Sequence, residues 1–243
     1  MQLKWFSVFN KKNGPYKKLF CFPYAGGNAS TFASWHNSLP GHVSVLGLQF
    51  PGRAGRIAEV PIDDMEELTT IVADNMCALI DDDYIMLGHS LGARVAFEVA
   101  LKLVRKGFPG PKDFIASASP APSVKRKDAP IYDLPETEFL EALRNMGGTP
   151  EIVLQNEELK TIFIPALRAD FKLVDSYQQS LSKLNSRAHV FYGTGDHTVP
   201  LKDAKAWDLH FTRNCTLNAV DGNHFFIDSN KEKVLSLVAD IIG

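Results

Sequence analysis

The chain reads as an α/β protein with a mostly parallel central sheet and helices on both faces. Three observations carry that reading. Short apolar runs alternate with longer amphipathic ones, the pattern of repeated βαβ units. The short runs are apolar throughout instead of alternating with polar residues, which fits strands covered on both faces. The 243 residues, 45% hydrophobic and 22% charged, suit one soluble domain spanning 1–243 with a sizeable core.

The elements follow in order. "KLFCFP" (18–23) and "SVLGLQF" (44–50) read as buried strands. "MEELTTIVADNMCALI" (65–80) spaces its apolar residues as a helix does, with Asp63 or Asp64 available as N-cap. "YIMLG" (84–88) is a third strand, and "LGARVAFEVALKLVRKG" (91–107) is a helix stopped by Gly107. "DFIASAS" (113–119), "RAHVFYG" (187–193) and "CTLNAV" (215–220) are the remaining strands, and "KEKVLSLVADIIG" (231–243) is a closing helix. From about 130 to 180 the chain reads as helix after helix with no strand. That stretch is a helical insertion between the fourth and fifth of these strands, placed to serve as a lid.

Composition excludes several classes. A net charge of -2 gives no general attraction to nucleic acid or anionic membrane. No segment approaches the roughly 20 apolar residues of a transmembrane helix, and "MQLKWFSVFNKKNG" has no run suited to a signal peptide. Cys21, Cys77 and Cys215 are sparse and widely spaced, which argues against a disulfide framework or zinc site and for small buried hydrophobes. A reduced, cytoplasmic protein, monomeric by default, is expected.

"GHSLG" (88–92) puts Ser90 between two glycines where the third strand gives way to a helix. The pattern G-x-S-x-G at a strand–helix junction builds a nucleophile elbow: a sharp turn that projects the serine above the sheet, with the helix N-terminus facing what it attacks. A serine hydroxyl needs a general base, and the base needs an orienting acid. In the α/β-hydrolase fold the chain order is serine, acid, histidine. Of the late histidines, His189 lies within a strand and His210 within "AWDLHF", a stretch lacking turn residues. His224, in the glycine-containing loop "VDGNHFF", is the candidate base. Asp196, at the tip of "FYGTGDHTVP", is the candidate acid; "ASASPAPS" (116–123), the other place for it, has no carboxylate, and Asp221 shares the short loop of His224. His197 is a second-layer candidate or a solvated turn residue. The backbone N–H of Leu91 is one expected oxyanion donor. The second is Tyr24 or Ala25 in "FPYAGGNAS" (22–30), with Ala25 preferred.

Several stretches together resemble the type II thioesterases of nonribosomal peptide and polyketide synthase pathways: "CFPYAGG", "LQFPGRAGR" (48–56), "GHSLGA", "GGTPEIV" (147–153), "LRADFKLVDSY" (167–177) and "GTGDHTVP". The resemblance implies an α/β-hydrolase fold with a helical lid. It implies hydrolysis of acyl thioesters from the phosphopantetheine arm of acyl or peptidyl carrier proteins, met transiently, with no metal or cofactor of the enzyme's own. Under it, "IFIPALRADF" lines an acyl chamber or its opening, Arg168 and Asp170 form an ion pair that fixes the lid or, as the lesser option, contact substrate directly, and Arg53 and Arg56 meet a phosphate, meet an acidic carrier surface, or merely solvate a loop. Two rivals share the motif. One is a carboxylesterase for small free esters; the other is a non-catalytic binding protein of the same fold.

Overall fold

A computed structural model describes residues 4–10, 16–80, 83–126, 128–178 and 180–243, so the amino-terminal stretch 1–14 is covered only over 4–10. Seven strands form one sheet: β1 (Phe6–Val8), β2 (Lys17–Phe22), β3 (Val43–Leu48), β4 (Tyr84–His89), β5 (Asp113–Ser117), β6 (Arg187–Gly193) and β7 (Cys215–Val220). Their spatial order is β1-β3-β2-β4-β5-β6-β7. β1 runs antiparallel to β3, and every other pairing is parallel. The six expected strands are present; β1 is an addition. Three residues at a sheet edge carry no periodicity from which a strand could be read.

The strands are apolar throughout because both faces are covered. Phe20, Met86, Phe114 and Val190 point to one side, packed with α1 (Met65–Met76) and α2 (Leu91–Arg105). Leu19, Leu87, Ile115 and Phe191 point to the other, packed with Phe32, Trp35 and the closing helix. That closing helix, α8 (Lys231–Ile242), follows α6 (Leu201–Lys205) and a single turn, α7 (Phe226–Ser229). Asp64, not Asp63, caps α1 by accepting from Glu67 N–H. Gly107 follows α2 at φ +86°. Cys21 is buried, Cys77 and Cys215 are half-buried, and all three are free thiols.

Between β5 and β6 lie α3 (Glu136–Met146), α4 (Glu151–Gln155) and α5 (Glu157–Asp175), the expected helical insertion. It has a small core of its own, Phe139, Leu143, Leu154 and Leu167, separate from the two that sandwich the sheet. Among the described residues no helix is long and apolar enough to cross a membrane.

Candidate active site

β4 delivers Ser90 at the carboxyl edge of the sheet, and α2 begins one residue later. The turn is sharp enough to hold Ser90 at φ +55°, a conformation that L-residues seldom adopt. Its N–H donates to Ser117 O at 2.8 Å, which ties the elbow to β5. The flanking glycines allow the close approach. A Cβ on Gly88 would lie 2.3 Å from Gly92 O, and one on Gly92 would lie 2.1 Å from Phe22 O.

The loops after β6 and β7 complete a chain of three side chains. Ser90 Oγ lies 2.8 Å from His224 Nε2, and His224 Nδ1 lies 2.8 Å from Asp196 Oδ2. With Nδ1–H donating to the carboxylate, Nε2 is left to accept from the serine hydroxyl. Burial works against ionisation of Asp196, but hydrogen bonds from His224 and Thr198 outweigh it and hold the carboxyl down to about 2. A nucleophile, a base in the right tautomer and an ionised acid are the parts of acyl transfer by a serine hydrolase.

Two residues that sequence reasoning missed brace this chain. Thr198 donates its hydroxyl to Asp196 Oδ1 at 2.6 Å and its N–H to the same oxygen at 2.9 Å. His89, fully buried beneath the site, places Nε2 2.9 Å from His224 O and Nδ1 2.9 Å from Ser117 Oγ. Burial is the main reason its imidazole is depressed to about 3, so it stays neutral and donates from Nε2 to the His224 carbonyl. The histidine inside "GHSLG" was the available signal for His89; the two-residue spacing of "DHT" was the signal for Thr198. His197 is exposed at the chamber wall. His189 meets Asp113 and Thr216, and His210 meets Ser182 O and Ser123, so neither reaches Ser90.

Ser90 opens into a chamber of about 490 Å³. Ala25 and Leu91, the expected oxyanion donors, line it beside Ser90, as does Tyr24. The insertion supplies Leu143, Met146, Leu167 and Phe171. Phe163, Ala166 and Leu167 also line a smaller neighbouring cavity of about 180 Å³, so "IFIPALRADF" does wall this space. Among the described residues no three His, Cys, Asp or Glu side chains group as a metal site.

Two expectations about the arginines fail. Arg168 and Asp170 do not pair: residues two apart on a helix face away from each other. Arg168 instead donates to Tyr132 O at 2.6 Å and lies over the Phe139 ring, while Asp170 pairs with Arg53. Arg53 and Arg56 are 4% and 7% exposed, too buried to meet a phosphate or a carrier surface, or to solvate a loop. Arg56 is taken up by Glu59 and by the ring of Trp5.

A model of the thioesterase domain matches residues 17–242. The chain belongs to the thioesterase family. This thioesterase is 35% identical to the gramicidin S biosynthesis protein GrsT of Aneurinibacillus migulanus, over 97% of the chain and 92% of that protein. It superimposes with a TM-score of 0.89 and 30% identity on the type II thioesterase BorB of the borrelidin biosynthetic cluster, covering 98% of both chains. The type II thioesterase YbtT of the yersiniabactin pathway matches at 0.86 and 25% identity, over 97% of this chain and 96% of the other. The fold is therefore that of the α/β-hydrolase thioesterases, and the likeness places the chain with the type II enzymes of nonribosomal peptide and polyketide pathways.

Proposed function

We propose that the chain hydrolyses acyl thioesters carried on the phosphopantetheine arm of carrier proteins, an editing step in nonribosomal peptide or polyketide assembly. The observation that carries the proposal is the hydrogen-bonded series Ser90–His224–Asp196 opening into an apolar-walled chamber. Ser90 Oγ attacks the thioester carbonyl as His224 Nε2 takes its proton. The carbonyl oxygen gains the charge and is held by the Leu91 and Ala25 N–H groups. The intermediate collapses, the carbon–sulfur bond breaks, and His224 returns the proton to the leaving thiolate. Water then attacks the acyl-serine, losing its proton to His224; the acyl–Oγ bond breaks as His224 returns that proton to Ser90 Oγ, and the free acid leaves. Asp196 stays ionised throughout.

The chemistry calls for no metal and no cofactor of the enzyme's own; the phosphopantetheine belongs to the substrate. The insertion acts as the lid over the acyl group. The partners are carrier domains met in passing, and the compartment is the cytoplasm. The test is acyl loss from a phosphopantetheinylated carrier protein, followed by intact-protein mass spectrometry with Ser90→Ala as control. Accelerated loss that vanishes in the variant is expected. Hydrolysis of small free esters with no acceleration on the carrier would make the chain a carboxylesterase instead.

A further inference from the structure

The corrected pairing of Asp170 leads back to the site. Its Oδ1 accepts from Arg53 Nη2 at 2.7 Å. Its Oδ2 accepts from Arg53 Nη1 and from the backbone N–H of Gly26, the latter at 2.7 Å. Arg53 Nη1 also lies 3.3 Å from Gly27 O. Asp170 belongs to α5 of the insertion, Arg53 to the loop after β3, and Gly26 and Gly27 to the turn that carries Ala25. Both charged residues are buried, 2% and 4% exposed.

The start of that turn is anchored by the Tyr24 side chain, which donates to Asp228 Oδ2 at 2.8 Å and packs against the rings of His89 and Phe225. Gly27 N–H donates to Tyr24 O at 2.9 Å, and Gly26 sits at φ +79°. Two adjacent glycines leave the peptide planes that follow Ala25 free to reorient at small cost. A donor stabilises an oxyanion only when its direction is fixed before the charge appears. The carboxylate of Asp170 fixes the next N–H along, that of Gly26, and Arg53 braces the carbonyl of Gly27, two residues after Ala25. A lone carboxylate so near a developing negative charge would oppose it; the bidentate guanidinium neutralises that carboxylate and leaves its acceptor oxygens in place.

We infer that Asp170 and Arg53 are positioning residues for the oxyanion hole, linking the seating of the lid helix to the orientation of the Ala25 N–H. The inference rests on the acyl-transfer reading of Ser90. It makes the insertion more than a wall. The same helix that lines the chamber with Leu167 and Phe171 holds the back of the turn.

The test compares Asp170→Asn, and the paired variant Arg53→Met with Asp170→Leu, against the unmodified protein. The paired variant removes both buried charges and keeps apolar bulk, a replacement that folded proteins commonly tolerate. The readouts are hydrolysis of acetyl-pantetheine, a substrate too small to need the chamber wall, and inhibition by a trifluoromethyl ketone that forms a tetrahedral oxyanion adduct on Ser90. The expected result is a kcat lowered about ten- to a hundredfold with KM nearly unchanged, and ketone affinity lowered by the same factor. A merely structural role would lower the melting temperature and leave kcat and ketone affinity of the folded protein intact; that result overturns the inference. Should neither variant fold, amide exchange at Gly26 in the unmodified protein decides. Protection retained in the ketone adduct supports the clamp, and protection lost on forming it overturns the clamp. If the unmodified protein neither forms the adduct nor cleaves the thioester, the acyl-transfer reading itself fails.

Discussion

Gly92 and Gly148 are both too crowded for a side chain, but by different neighbours. A Cβ on Gly92 would meet the carbonyl oxygen of Phe22 at 2.1 Å; one on Gly148 would meet the ring edge of Phe225 at 2.1 Å. The first contact joins α2 to β2, backbone to backbone. The second joins the insertion to the loop of His224 through a side chain that can turn aside. The contrast extends over the molecule. The sheet and its ladders place Ser90, and through two short loops Asp196 and His224. The insertion has its own core and meets that frame through side chains: Asp170 on Arg53, Lys172 on Asp63, Gly148 against Phe225. Ser90, His224 and Asp196 are thus tied to the main chain, and much of the chamber wall to a part that can be repacked with less disturbance.

The largest expected effect comes at Gly92. Gly92→Ala forces backbone against backbone and should cost more than about 4 kcal/mol, leaving little folded protein. Gly148→Ala should be milder, on the order of 1–2 kcal/mol, because only an aromatic ring must give way. Thermal unfolding of the two side by side checks this, and the reverse ranking would break the comparison. Next is Phe139→Ala, in the fully buried centre of the insertion core. A loss of about 3 kcal/mol is expected there. The insertion should melt first, and because α5 carries the Asp170 that holds the Gly26 N–H, acetyl-pantetheine hydrolysis should fall along with that of long acyl groups.

His89 gives a pH test of how firmly the frame holds the base. Its ordinary value is 6.5 and its folded value is about 3. Above pH 6.5 it is neutral in both states. As pH falls from 6.5 toward 3 the unfolded chain binds a proton that the folded chain refuses, so folding stability declines across that window. Asp196, held at about 2 against an ordinary 3.8, adds a further loss as pH falls below 3.8. His89→Gln should flatten the upper part of the decline in urea titrations between pH 7 and 4, at the cost of lower stability at pH 7. An unchanged slope would mean that His89 is not the group refusing the proton. The smallest effect is expected from Thr198→Val, which removes one hydroxyl donor from Asp196 and should lower kcat by a factor equivalent to about 1 kcal/mol. A fall as deep as that of Asp196→Ala would give Thr198 a larger part than bracing.

The same contrast explains what could be read from the sequence. Strands buried on both faces and the helix after Ser90 announce themselves through local periodicity, and the serine–acid–histidine order follows from loops at strand ends. The three chosen side chains do converge. What stayed hidden lay across long stretches of chain. Asp170 is 117 residues from Arg53, and a local reading paired it with its near neighbour Arg168, which faces the other way. "PGRAGR" read as an exposed basic loop, open to a phosphate, a carrier surface or solvent, because nothing local shows that Phe50, Trp5 and Asp170 enclose it. β1 was too short to show a period, and His89 could be seen but not interpreted, since its partner is a backbone carbonyl 135 residues away.

The division between a frame that carries Ser90, His224 and Asp196 and an insertion whose chamber wall selects by chain length is tested most directly by one profile. Met146 lines the chamber from α3 yet is 38% exposed, so Met146→Trp fills space without burdening the core. Rates would be measured on acyl-pantetheine thioesters from two to twelve carbons for both proteins. Acetyl hydrolysis is expected to hold while hydrolysis of the longer chains falls away progressively. A uniform fall at every length, or none at any, would contradict that division.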